Sequence, residues 1–143
     1  MTRDLDIVVE LNRESGAILY EMFKDSYYVS KEAIEEAVTH ESIFNIIHQQ
    51  SIIKVDFIVK KNLEYRSVEF SRRKRITIGD FSTYIVTAED LIISKLLWMK
   101  DSLSEVQKKD VQALLSVNYD RDYLYLWVSK LELTQLLEQV QNA

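Results

Sequence analysis

Asp4-Leu5-Asp6-Ile7-Val8-Val9 places two carboxylates two residues apart at the head of an apolar run. In an extended chain residues i and i+2 share a face, so Asp4 and Asp6 project side by side. Like charges this close favour something positive between them, and a hard divalent cation is the usual solution. Ile52-Ile53-Lys54-Val55-Asp56-Phe57-Ile58-Val59 reads as a second buried strand with one acid in its middle. Strand alternation directs Ile53, Val55, Phe57 and Val59 to one face and Lys54, Asp56 and Ile58 to the other. Asp56 therefore faces away from the main apolar row, where a metal site would need it. The alternative reading is a solvated pair near the start of the chain plus one strand acid paired with a lysine.

Arg72-Arg73-Lys74-Arg75 is a basic run leading into a strand, suited to RNA phosphates or simply to solvent. His48 ends a strand near Asp56, where a lone histidine is more often structural than catalytic. Tyr123, Tyr125, Trp127 and Trp98 read as helix-packing residues, since no basic residues interleave with them to suggest base stacking.

Thr2-Arg3-Asp4-Leu5-Asp6-Ile7-Val8-Val9 and Lys54-Val55-Asp56-Phe57 together resemble the nucleotidyltransferase superfamily. The similarity is to its small prokaryotic members, including those of toxin–antitoxin and abortive-infection systems. Ala88-Glu89-Asp90-Leu91-Ile92-Ile93-Ser94-Lys95-Leu96 resembles a further segment of these proteins, with Ala88 in place of a proline. Lys108-Lys109-Asp110-Val111-Gln112-Ala113-Leu114 resembles the segment that follows it. The resemblance implies that Asp4, Asp6 and Asp56 bind magnesium, with Asp56 also helping to deprotonate an acceptor hydroxyl. It implies that Arg3 and Lys95 touch the nucleotide, and that Asp110 anchors helices or pairs with Lys95. The implied reaction moves a nucleotide from an NTP to a hydroxyl of RNA or protein. One feature departs from the family. Its Gly-Ser turn, which grips the phosphates, lies upstream of the acid pair, and Asp4 here follows Met1 by only three residues. Either the turn is encoded further upstream, or the chain is a non-catalytic binding or assembly module with a protein partner.

The elements that must hold these residues follow from composition and pattern. The 143 residues suit one domain, divided into a mixed α/β part over 1–86 and a helical tail over 87–143. With 47% apolar and 29% charged residues the balance is that of an ordinary globular chain. The absence of cysteine excludes disulfides and zinc–thiolate sites and fits a reducing cytoplasm. No apolar stretch suggests a membrane span or a signal peptide. A net charge of −5 argues against whole-surface attraction to nucleic acid and leaves only local patches. With two glycines and no proline there is no glycine-rich phosphate loop, and turns fall to Asn, Asp and Ser.

The predicted order begins with a strand over 5–11, a helix over 17–23 and a helix capped by Ser30. An antiparallel pair over 43–48 and 52–59 follows, then a short helical or irregular stretch. Gly79-Asp80 turns a hairpin, Thr87 caps a helix, and three further helices end the chain. The expected fold is α+β, a nucleotidyltransferase-like mixed sheet flanked by helices, with a C-terminal helical segment. An apolar edge at the first strand predicts a homodimer that covers it.

Overall fold

The computed structural model describes residues 4–102 and 104–143. They divide into two compact units, Met1–Ser67 and Val68–Ala143. The division falls within a helix rather than at residue 86, so the Gly79 hairpin belongs with the C-terminal helices.

The first unit carries β1 (Asp4–Val9), α1 (Arg13–Phe23), β2 (Tyr27–Tyr28), α2 (Lys31–His40), β3 (Ile43–His48) and β4 (Lys54–Val59). The sheet order is β1-β4-β3-β2; β1 runs parallel to β4 and the other pairs are antiparallel. The mixed sheet expected from the sequence is present. Alternation along β4 buries Val55, Phe57 and Val59. With Phe44, Ile46, Leu19, Ile34 and Ala37 they form the core of this unit, so α1 and α2 cover that face.

Local chemistry sets the helix starts. Asn12 Oδ1 accepts the Ser15 amide at 2.8 Å, and the Asn12 amide donates back to Ser15 Oγ at 2.9 Å. This reciprocal cap starts α1 at Arg13, earlier than the expected start at 17. Gly16 lies inside the helix, and an added Cβ there would stand 3.0 Å from Ile34 Cγ2 of α2, so the missing side chain lets the two helices approach closely. Ser30 caps α2 as expected, its Oγ accepting the Ala33 amide at 3.1 Å. His48 is structural: its Nδ1 accepts the Ser51 amide at 3.0 Å and closes the turn between β3 and β4. The apolar edge is also present, with Leu5 57%, Ile7 39% and Val8 43% exposed on β1.

The second unit begins within α3 (Glu64–Ser71) and contains β5 (Lys74–Ile78), β6 (Phe81–Ile85), α4 (Ala88–Asp101), α5 (Glu105–Leu114), α6 (Arg121–Lys130) and α7 (Thr134–Gln141). β5 and β6 form a two-stranded sheet of their own. Gly79 has φ +60°, whereas Asp80 is not among the positive-φ residues, which is the sign pattern of a type II′ turn. Ile92, Ile93, Leu96, Val111, Leu124, Val128, Leu137 and Val140 are buried in this unit. Among the described residues no helix is long and apolar enough to cross a membrane.

Candidate functional site

Parallel register aligns Asp4 with Lys54 and Asp6 with Asp56. Antiparallel register then sets Asn45 beside Asp56 and Ile47 beside Lys54. All of these side chains lie on the sheet face opposite the core. There Asp4, Asp6 and Asn45 are exposed, while Lys54 and Asp56 are half-buried. The three acids singled out in the sequence are therefore brought onto one accessible face. Strand pairing alone does this, because residues paired across neighbouring strands project the same way.

Lys54 sits among them. Its Nζ lies 3.7 Å from Asp4 Oδ2 and 3.5 Å from Asp56 Oδ2. These neighbours, Asp56 first and Asp4 second, hold the lysine pKa above its ordinary value. The positive charge that the paired acids call for is supplied by the chain itself. Among the described residues, no three acidic or histidine side chains converge tightly enough to hold a metal ion. The donor types still fit a hard divalent cation, since Asp4, Asp6, Asp56 and Asn45 share this face of the sheet. Arg3, expected at the nucleotide, lies outside the described residues.

Lys95 belongs to the second unit. Its Nζ donates to Asp110 Oδ2 at 2.8 Å and to Gln107 Oε1 at 3.1 Å, and its side chain is 15% exposed. The pairing with Asp110 fastens α4 to α5. The nucleotide-contact role that the resemblance implies for Lys95 would require it to leave this pair.

The basic run divides in two. Arg72 turns inward, with Nη1 2.6 Å from Asp90 Oδ2 and Nη2 2.9 Å from Glu89 Oε1. Its guanidinium stacks 3.5 Å from the centre of the Tyr123 ring. The Tyr123 hydroxyl donates to Asp90 Oδ1 at 2.6 Å, Thr87 Oγ1 donates to Asp90 Oδ2 at 2.8 Å, and the Asp120 amide donates to Glu89 Oε2 at 3.2 Å. Asp90 is fully buried and Glu89 nearly so. Burial acts to raise the Glu89 pKa, but hydrogen bonds from its own amide, Arg72 and Asp120 outweigh it and hold the carboxyl below its usual value. Burial and the contact with Asp90 push the Tyr123 phenol well above its ordinary range. Arg72, expected as an RNA contact, is thus matched by two carboxylates and an aromatic ring. Arg73, Lys74 and Arg75 remain exposed beside or on β5.

Sequence reasoning missed this network. In the sequence Glu89 and Asp90 stand out only as part of the segment that follows the Thr87 cap, and Tyr123 as packing. The available signal was a pair of acids flanked by apolar residues in the same chain as a run of four bases. No protein-family model matches the chain, and no curated protein sequence matches it at a significant level.

Proposed function

We propose that the first unit is a nucleotidyltransferase-like binding domain whose Asp4, Asp6 and Asp56 row takes a magnesium–nucleotide complex. The observation that supports this most is the register: Asp4, Asp6 and Asp56 share one exposed sheet face. Magnesium held there would neutralise the triphosphate and polarise the phosphorus that is attacked. The chain's own residues would act around it. The three carboxylates would bind the cation, and Asp56, the least exposed of them, would accept the proton of an acceptor hydroxyl on RNA or protein. Lys54 would move its ammonium from the acids toward the phosphates.

Calorimetric titration with magnesium and ATP tests this reading. Wild type is expected to bind at millimolar ligand or below, and the Asp4→Asn/Asp6→Asn variant is expected to lose the heat. Equal titrations for the two proteins would reject it.

The ion pairs of Lys54 favour a second reading, a non-catalytic binding or assembly module of the same fold, such as one half of a toxin–antitoxin pair. In that case Lys54 is a permanent counter-charge and the surface serves protein contacts. Either way, the exposed Leu5, Ile7 and Val8 edge is proposed to pair with a second copy. Light scattering at high concentration is expected to give a dimer; a monomer would contradict the pairing.

A further inference from the structure

The β5–β6 ribbon is exposed on both faces, with Ile76 the only residue of the two strands that is partly covered. Cross-strand partners share a face, which sorts its residues. Lys74 pairs with Ile85, Ile76 with Thr83 and Ile78 with Phe81, giving one largely apolar face. Arg75 pairs with Tyr84 and Thr77 with Ser82, giving a cationic, aromatic and hydroxylated face. Arg73, two residues before Arg75, belongs to the second face, since its guanidinium lies 4.7 Å from the Tyr84 ring centre. The same group lies 4.4 Å from the Phe70 ring and donates to the Phe70 carbonyl at 2.7 Å.

Arg73 is therefore held in place before any ligand arrives, which reduces the ordering that binding would require. Tyr84 is 54% exposed, and Arg75 stands beside it without an acidic partner on the ribbon face. An aromatic ring flanked by arginines on an accessible strand pair offers a base something to stack on and phosphates something to neutralise. The hydroxyl pair Thr77–Ser82, 3.2 Å apart, continues the same face and presents donors and acceptors to a sugar. The chain's net negative charge does not prevent this, because screening restricts the relevant potential to the nearest ~8–10 Å.

We propose that this face, carried by Arg73, Arg75 and Tyr84, binds single-stranded nucleic acid. Lys74, at the end of the same ribbon, adds a further positive charge for the phosphates. The site does not depend on the acidic row of the first unit, so it is tested without magnesium or nucleotide.

The test is fluorescence anisotropy of the full chain with a labelled single-stranded RNA of mixed sequence at ~50 mM salt. Wild type is expected to bind, with strong salt dependence. Arg73→Ala/Arg75→Ala is expected to bind about tenfold or more weakly. Its log–log salt slope should be shallower by about 1.4, from two phosphate contacts at ~0.7 each. Tyr84→Ala is expected to weaken binding about tenfold at an unchanged slope, the behaviour of a stacking contact. Thr77→Glu adds a negative charge at an exposed position that tolerates polarity, and it too should weaken binding. Asp4→Asn/Asp6→Asn should bind as wild type does, so failure of the nucleotide reading leaves this result distinct.

No binding by wild type at ~100 µM protein would overturn the proposal. So would an unchanged affinity in Arg73→Ala/Arg75→Ala, or loss of binding only in Ile78→Ser/Phe81→Ser. That last result would assign the ribbon to a protein partner through its apolar face.

Discussion

Replacing Arg72 with methionine is expected to destabilise the second unit by about 3–5 kcal/mol, the range for removing one partner of a buried ion pair. The substitution keeps much of the side-chain bulk and removes the charge. Asp90, fully buried, would lose its guanidinium partner while the hydroxyls of Tyr123 and Thr87 still donate to it, and Glu89 would lose its guanidinium contact. Denaturant titration followed by tryptophan fluorescence measures this directly, because both tryptophans, Trp98 and Trp127, lie in the second unit. A loss below ~1 kcal/mol would place the network in the class of surface pairs and contradict the account.

The pH dependence has a defined sign. Glu89 is held below its ordinary value, so its contribution is complete above the usual glutamate range and is lost as pH falls through the lowered value. Tyr123 is held above its ordinary value, so its contribution is complete below about pH 10 and is lost as pH rises through the raised value. Arg72→Met should flatten the acid limb, since one of the hydrogen bonds that lowers the Glu89 pKa is gone.

Much of this arrangement was legible in the residues. The alternation in 52–59 places Asp56 on the accessible face, and Asp4 and Asp6 reach the same face through parallel pairing. Gly79-Asp80, Ser30 and Thr87 act as turn and caps because their chemistry is local. Thr87 Oγ1 accepts the Asp90 amide at 3.2 Å, as an N-cap should. Long-range pairing was not legible. Nothing within a few residues of Arg72 says that it meets Asp90 and Tyr123, 18 and 51 positions away. A basic run read as one surface becomes one inward-turned, half-buried cation and three exposed ones. Lys54 shows the same limit at shorter range. Its face followed from alternation, whereas its place between Asp4 and Asp56 depends on the register of β1 against β4. The alternative reading of the acids, a strand carboxylate paired with a lysine, describes the contact observed.

Lys54 also gives the second large expectation. Lys54→Met removes the ammonium between Asp4 and Asp56 and leaves the acids facing one another. A divalent cation should then bind about tenfold more tightly than in wild type, the order expected when a competing unit charge a few ångström away is deleted near a protein surface. Millimolar magnesium should raise the melting temperature of Lys54→Met more than that of wild type. Without magnesium the variant should melt lower, because the two carboxylates repel. The lysine's own contribution should be complete below its ordinary pKa and disappear as pH rises through its raised value. Equal magnesium responses in the two proteins would mean that the acids do not form a cation site and that Lys54 is a structural counter-charge.

The most direct measurement is the paramagnetic broadening of backbone amide signals by substoichiometric Mn²⁺ in wild type and in Asp4→Asn/Asp6→Asn. The amides around Asp4, Asp6 and Asp56 are expected to broaden first in wild type and to stay sharp in the variant. Broadening that ignores β1 and β4, or that persists unchanged in the variant, would contradict a cation and nucleotide site on this face.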